Sequence, residues 1–275
     1  MGRDSNSDLF HQFTNRYRLN GRLITETPLH IGAGNTAADP TTLDNPVLRD
    51  AFGMPYIPGS SFKGVWRTFS ERILGQWGEA VGVAPCNVLT NPCLSHDDAR
   101  RIKKEYSKDA LRAAEEIYNC LCSVCRLFGS QHFAGRLRVR DLLLDESTWV
   151  GFYEIRPGVS IDRDTRTAMT GRFYEIEVVP AGTAFHWQVL MDNLSEPQWY
   201  NTLLSLTPFV HGEIALGGGT TRGLGRVRLT NVQVSRLDAS NFKQYLQKGW
   251  AGIESIPFVD AGKKVGLELG GDMVV

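Results

Sequence analysis

Four of the five cysteines form two pairs with a spacing that suits a metal ion. One pair is the C-x-x-C sequence at Cys122 and Cys125, and the other lies about 30 residues upstream. Zn²⁺ prefers four nitrogen or sulfur ligands in a tetrahedron, and a closed set of thiolates holds a structural ion. The sequence therefore predicts a structural zinc site with the ligands Cys86, Cys93, Cys122 and Cys125. His96 and Cys120 remain alternative ligands, and a redox C-x-x-C is the lesser alternative because no thioredoxin-like βαβ pattern precedes it.

A long polar segment, from Pro28 to about Gly59, carries a second group of reactive side chains. Loops of this length are usually functional or disordered. Its ionisable residues include His30, Asp39, Asp44, Arg49 and Asp50. A carboxylate beside an arginine on such a loop could position a divalent metal ion or accept a proton. Asp44 and Asp50 are also typical of ordinary turns, and from the residues alone the turn interpretation is favoured.

Two glycine-rich segments have the composition of phosphate-binding loops. The segment 32–37 matches G-x-G-x-x-A, but a dinucleotide site needs a helix to start there, and Asp39-Pro40 follows instead. The segment 217–225 places Arg222 and Arg226 among glycines whose amides could face phosphate oxygens. A tight turn between two elements explains this second segment equally well.

An arginine-rich segment lies between these loops. Residues 152–172 carry Arg156, Arg163, Arg166 and Arg172. As an exposed hairpin, this segment would present a cation every few residues. Nearby acidic residues nearly cancel the charge, so a solvated face with internal ion pairs is slightly favoured.

Composition limits the classes of protein to consider. The 30 cationic and 30 acidic residues cancel, which argues against a generic polyanion binder. Of the cations, 22 are arginine, whose planar fork suits phosphates and bases, although codon composition explains the bias equally well. No apolar run approaches the roughly 18 residues of a membrane span. The polar start lacks an apolar signal region, so we expect a cytoplasmic protein with reduced cysteines and no membrane partner.

The periodicity of the chain predicts the elements that must position these groups. Strands are predicted at 16–27, 136–144, 172–179, 183–191 and 226–234, with a further possible strand at 151–155. Helices are predicted from residue 60 or 61 onward and at 95–119, 195–206 and 240–248. The turn 180–182 should join two of the strands as a hairpin, and 259–275 should be loosely attached. The order favours an α+β sandwich with a β-α-β-β-α-β core and insertions.

Six segments, taken in order, resemble the RAMP superfamily, and in particular the repeated backbone subunit of type III CRISPR effector complexes. These segments are 29–34, 43–50, 55–64, 122–129, 159–168 and 217–225. The resemblance covers roughly residues 16–235 and implies a ferredoxin-like, modified RNA-recognition-motif core. It places a zinc-binding insertion at about 84–126 and a protruding β-hairpin thumb at about 152–180. We therefore expect a frayed terminus at 1–15, a single domain at 16–250 and a tail at 251–275.

The resemblance also implies a function in RNA-guided RNA cleavage. Copies or paralogues of such a subunit, together with other subunits of the complex, hold guide RNA, and thumbs interrupt its duplex with target RNA. The Asp of the family's Asp-Ser/Asn-Pro-Val motif is required for cutting the target, and that motif begins at Asp44 here. Cutting would use the ribose 2′-hydroxyl as nucleophile with Mg²⁺ or a similar ion.

Seven side chains are the expected RNA contacts on this interpretation, mainly to sugar and phosphate. Five are expected to contact the guide and two belong to the thumb: His30, Lys63, Arg67, Arg222 and Arg226, then Arg156 and Arg163. Two alternatives remain open. The chain could be a non-catalytic structural RNA-binding subunit, or it could be a repeat-processing endoribonuclease that releases the guide from its precursor.

Overall fold

A computed structural model describes residues 9–33, 45–81 and 85–269. The strands are β1 (Asn15–Thr25), β2 (Tyr56–Ile57), β3 (Leu137–Val139), β4 (Leu142–Leu143), β5 (Glu154–Ile161), β6 (Ala168–Val178), β7 (Ala184–Asp192), β8 (Ile214–Ala215), β9 (Arg226–Asp238) and β10 (Ser255–Pro257). The helices are α1 (Gly59–Val81), α2 (His96–Glu105), α3 (Ala110–Asn119), α4 (Ser123–Phe128), α5 (Glu196–Val210), α6 (Phe242–Lys248) and α7 (Phe258–Lys263). Helices beside an antiparallel sheet agree with the predicted α+β class. None of the helices within these ranges has the length and apolar character needed to cross a membrane.

The central sheet is antiparallel and has the strand order β10-β9-β1-β7-β3, with β8 added beside β9. Strand β1 lies between β7 and β9, and its Leu19 is paired with both Val189 and Val234. Alternate residues of a strand face opposite sides of the sheet. Leu19 and Leu23 are accordingly buried on the inner face, which explains why alternation alone located this strand.

Helices α1 and α5 cover the inner face of the sheet through aromatic side chains. The ring of Phe62 lies 5.7 Å from Trp187 of β7 and 4.7 Å from Phe209 of α5. Trp66 is also fully buried, and its indole Nε1 donates a hydrogen bond to Ser205 Oγ at 2.8 Å. Burying side chains of this kind stabilises the fold by about 2–3 kcal/mol each. The start of α1, which follows the first loop, is therefore held rigidly against the sheet.

Strands β5 and β6 form a separate antiparallel hairpin, and this corrects one prediction. The sequence predicts that 172–179 pairs with 183–191 across the turn 180–182. Strand β7 instead pairs with β1 over the register Arg16–Asp192 to Ile24–Ala184, because its alternate apolar residues complete the core. The hairpin leaves several large apolar side chains exposed, namely Ile155, Val159, Ile161, Met169 and Phe173.

The helix predicted at 95–119 is two helices, α2 and α3. The predicted N-cap at Ser95 is present, with its Oγ accepting a hydrogen bond from Asp98 N at 3.1 Å. The chain then turns after Tyr106, and Asp109 begins the second helix by accepting a hydrogen bond from Arg112 N at 3.0 Å. A second capping side chain inside the predicted helix therefore divides it.

Other boundaries also differ from the prediction. The segment predicted as one strand at 136–144 is divided into β3 and β4, and α1 begins at Gly59, whose N–H donates to Asp141 Oδ1 at 2.8 Å. Helix α5 has the predicted Ser195 cap as a full capping box, but it runs on to Val210.

Both ends of the described chain are attached more firmly than predicted. Residues 9–15 are not frayed, since Leu9 is buried and its carbonyl accepts a hydrogen bond from Asn193 Nδ2 at 3.1 Å. The tail predicted to be loose contributes β10 to the sheet and buries Phe258 in the core. Apolar side chains in both segments account for the attachment, because burying them offsets the entropy lost on ordering the chain.

Candidate functional site

The two ends of the predicted catalytic loop lie side by side. Ala33 N donates a hydrogen bond to Pro46 O at 3.2 Å, and Leu48 N donates to Ile31 O at 2.8 Å. The segment 34–44 between these ends, which includes Asp39 and Asp44, lies outside the described residues. The structure therefore describes the frame of the loop from Pro28 to Ala33 and from Asn45 onward.

Glu177 of β6 connects this frame to the hairpin. Its backbone N–H donates a hydrogen bond to Asn45 O at 3.1 Å. Its carboxylate is buried, accepts a hydrogen bond from Val47 N at 2.9 Å and pairs with Arg49. The Arg49 guanidinium also lies 4.1 Å from the centre of the Tyr153 ring. Sequence reasoning missed Glu177, because a single glutamate in a strand gives no sign of partners about 130 residues away.

His30, at the other end of the loop, also contacts Glu177. Its Nδ1 lies 2.7 Å from Glu177 O, so this nitrogen is the donor and Nε2 is left as the acceptor when the ring is neutral. The carbonyl of His30 accepts a hydrogen bond from Gly218 N at 2.9 Å. A side chain at Gly217, where φ is +77°, would overlap that carbonyl, so glycine is required there. The glycine segment 217–225 therefore borders the first loop.

The two predicted arginines of the glycine segment have different surroundings. Arg222 is exposed, and its Nη1 donates a hydrogen bond to Tyr174 Oη of β6 at 3.1 Å. Arg226 is bonded within the fold, because its Nε donates to Gly212 O and pairs with Glu26, each at 2.7 Å. Arg222 is thus the more available cation and links the glycine segment to the hairpin.

The two predicted contacts on α1 also differ. Lys63 is half-buried, and burial lowers its pKa, as does the neighbouring charge of Arg67. Arg67 makes three interactions inside the chain: Nε with Glu71 Oε1 at 2.8 Å, Nη1 with Gly129 O at 2.9 Å and Nη2 with Cys125 Sγ at 3.4 Å. The structure therefore places Arg67 at the cysteine cluster, with its guanidinium engaged there.

Arg156 and Arg163 lie on the hairpin. Arg156 is in β5, and Arg163 is in the turn between β5 and β6. Both side chains are exposed, and within residues 9–33, 45–81 and 85–269 no ion pair involves either one. The interpretation of this segment as a face of internal ion pairs is therefore wrong for these two arginines.

The cysteine cluster brings together the four predicted residues. The Sγ atoms of Cys86, Cys93, Cys122 and Cys125 all lie within 4.8 Å of one another. Cys86 Sγ lies 3.4 Å from Cys125 Sγ and 3.9 Å from Cys122 Sγ. In a tetrahedron of four sulfurs with Zn–S bonds of ~2.3 Å, the sulfurs are about 3.8 Å apart. The cluster therefore has the dimensions of a four-thiolate metal site.

The alternative ligands lie elsewhere. Neither belongs to the cluster, since Cys120 is exposed and His96 pairs with the His132 ring at 5.1 Å. The thiols that do form the cluster influence one another. The Cys125 thiol donates to Cys122 Sγ and lowers the pKa of Cys122 to about 4, whereas burial raises the pKa of Cys93 to about 12. Four adjacent thiolates repel one another, and a bound divalent cation would favour the deprotonated form of all four.

Comparison with known proteins places this geometry in context. The CRISPR system Cms endoribonuclease Csm3 of Methanocaldococcus jannaschii is 27% identical over 229 residues, covering 78% of this chain and 79% of the relative. The protein of the same name from Enterococcus italicus is 25% identical over 234 residues, covering 82% of this chain and 97% of that protein. A third, from Methanothermobacter thermautotrophicus, is 23% identical over 248 residues, covering 81% of this chain and 87% of that protein.

The family comparison covers the whole site. The sequence model of the RAMP superfamily matches residues 22–228, from β1 into β9. The matched range includes the first loop, the cysteine cluster, the β5–β6 hairpin and the glycine segment. The chain belongs to the RAMP superfamily.

Proposed function

We propose that the protein is a backbone subunit of a type III CRISPR ribonucleoprotein that binds guide RNA and cleaves the paired target RNA. The observation that carries this proposal is the meeting of the first loop, the hairpin and the glycine segment around Glu177 and His30. Three relatives that are named CRISPR system endoribonucleases support it. Within the central sheet, the order β9-β1-β7-β3 supports a ferredoxin-like core with β5–β6 as the thumb.

The chemistry would be an internal transfer within the target strand. The 2′-oxygen attacks the adjacent phosphorus, the bond from phosphorus to the 5′-oxygen breaks, and the 2′-hydroxyl proton is taken up while the leaving oxygen gains one. The products are a 2′,3′-cyclic phosphate and a 5′-hydroxyl. Asp44 would hold a divalent ion or accept the proton, and Mg²⁺ or a similar ion would neutralise charge on the phosphate. The hairpin would splay the target so that attack is in line.

The RNA contacts of the proposal follow from the exposure of the cations. We assign three side chains to the guide. His30 borders the glycine segment, Arg222 lies within it, and Lys63 lies near the start of α1. Arg67 and Arg226 would have to exchange internal partners for a phosphate, so they are the weaker candidates. Arg156 and Arg163, on the hairpin, would contact the guide–target duplex. Copies of the chain or its paralogues would extend the same RNA-binding surface.

We further propose that the cysteine cluster holds a structural zinc ion. Four sulfurs in one compact group fit Zn²⁺, and Cys122 and Cys125 are almost fully buried. The site would join the segment around Cys86 and Cys93 to α4. It has no open position for a substrate, so the ion would stabilise the fold and take no part in cleavage.

A cleavage assay with the assembled complex tests the proposed function. Complex carrying its guide is mixed with matched target RNA and Mg²⁺, and the products are analysed for their end groups. We expect cuts with 2′,3′-cyclic phosphate and 5′-hydroxyl ends that stop when EDTA is added. Target binding without cleavage at any Mg²⁺ concentration would favour the structural subunit. Cleavage of precursor repeat RNA by the isolated protein in EDTA would favour the processing enzyme.

Removing the two hairpin cations should change how RNA affinity depends on salt. Each phosphate contact on a duplex contributes about −0.9 to the slope of log affinity against log salt, so Arg156→Ala with Arg163→Ala should flatten the slope by about 1.8. The slope is measured by filter binding of target RNA to the complex at KCl concentrations from about 50 to about 300 mM. Arg100→Ala with Lys104→Ala, an equal charge loss on the exposed face of α2, is the control. Equal slopes for both double variants would contradict the assignment.

A further inference from the structure

One residue of the hairpin holds both ends of the loop that carries Asp44. Glu177 uses four groups for this: its N–H, its carbonyl and its two carboxylate oxygens. The partners are Asn45 O, His30 Nδ1, Val47 N and the Arg49 guanidinium, of which Asn45 directly follows Asp44 in the sequence. We propose that Glu177 is a positioning residue that sets the Asp44 loop relative to strand β6 of the hairpin, an inference that rests on the proposed function.

The type of residue argues for positioning over simple packing. A carboxylate with a side chain only 6% exposed loses its hydration, and apolar residues of similar volume often stabilise such places as well as an ion pair does. The carboxylate gives what an apolar side chain cannot, namely two directed interactions with Val47 and Arg49 of one loop segment. The loop segment therefore has one register against β6.

The partner Arg49 is fixed from a second direction. Its guanidinium lies over the Tyr153 ring, and the Tyr153 hydroxyl donates a hydrogen bond to Gly53 O at 2.9 Å. Tyr153 comes directly before β5, so both ends of the hairpin contact the loop that follows Asp44. Tyr153 and Glu177 together therefore contribute contacts to residues 47–53, the loop segment that follows Asp44 in the sequence.

The substitution Glu177→Gln tests this inference. Glutamine can still accept the Val47 N–H, but it lacks the charge that orients Arg49. In single-turnover cleavage at saturating target, we expect the rate to fall about 10- to 100-fold, because small misplacements of reacting groups have large effects on rate. Target Kd and the melting temperature of the complex should change by less than about two-fold and about 2 °C, respectively. Glu175→Gln, the same change two residues earlier in β6, is the control.

A second variant separates positioning from folding. Arg49→Gln removes the other half of the pair from a side chain that is 40% exposed, so it should assemble even if Glu177→Gln does not. It should slow cleavage by a similar factor, and the double variant should be no slower than either single one, since residues acting as a unit are not additive.

The outcomes separate this inference from the proposed function. Parental cleavage rates in Glu177→Gln and Arg49→Gln, together with loss of cleavage in Asp44→Ala, would overturn the inference alone. Parental rates in all three variants would overturn both. A rate loss that matches a loss of target affinity or of melting temperature would show a structural role and would also overturn the inference.

Discussion

Replacing Asp44 by alanine is expected to abolish target cleavage while the complex still assembles and binds its target. Loss of a positioned carboxylate that assists proton transfer or holds a metal ion reduces rates by about 10²- to 10⁴-fold. Assembly should persist, because the contacts that fix the loop frame come from Ala33, Val47, Leu48 and Glu177. Single-turnover cleavage of a matched target, with Kd measured in parallel, gives both quantities.

Two further variants sharpen this test. Asp44→Asn keeps the size of the side chain but removes its charge, so it should be as inactive as alanine. Asp39→Ala removes the other carboxylate of the segment 34–44 and should cleave at nearly the parental rate. Equal activity of Asp44→Ala and the parent would remove the catalytic half of the proposal, and failure to assemble would assign Asp44 a structural role.

Replacing Cys122 by serine should produce the largest loss of stability. Cys122 is buried and caps α4, where its sulfur accepts the N–H of Cys125 at 3.5 Å. Serine is an excellent N-cap, so the cap should survive and only the metal ligand is lost. We expect bound zinc to disappear and the free energy of unfolding to fall by about 4 kcal/mol, which lowers the melting temperature by ~10 °C. Elemental analysis and thermal unfolding provide the measurements.

The fifth cysteine supplies the matched control. Cys120→Ser makes the same chemical change at an exposed residue outside the cluster and should leave zinc content and melting temperature unchanged. Removing zinc from the parent with a strong chelator should reproduce the effect of Cys122→Ser. A parental protein that contains no zinc and melts at the same temperature as Cys122→Ser would refute the metal site.

Local patterns in the sequence were sufficient where neighbours along the chain decide the structure. Alternation located β1 and β9, and the Ser195 signature located the start of α5. The spacing of the cysteines picked out the four that meet, because each pair is close in the sequence and the fold has only to bring one pair to the other. Asp109 is of a residue type that favours the N-cap position, and this signal in the sequence indicates that a second helix starts within the helix predicted at 95–119.

Long-range pairing was beyond the same patterns. The turn 180–182 looks like a hairpin connection, yet β7 pairs with β1, about 170 residues away, because the core needs its apolar face. Glu177 meets His30, Val47 and Arg49 across similar separations. No periodicity encodes such contacts, so the resemblance to a family indicated where the loops lie while the structure alone identified the residue that joins them.

The ribbon formed by β5 and β6 has a consequence for the free subunit. Two strands without a third are marginal in water, and Phe173 and Ile161 are each more than 60% exposed. A polypeptide made without RNA or neighbouring chains would leave the apolar surface of this hairpin exposed to solvent and would tend to self-associate. The supply of nucleic acid and partner chains would then govern how much of the newly made protein stays dispersed in the cell.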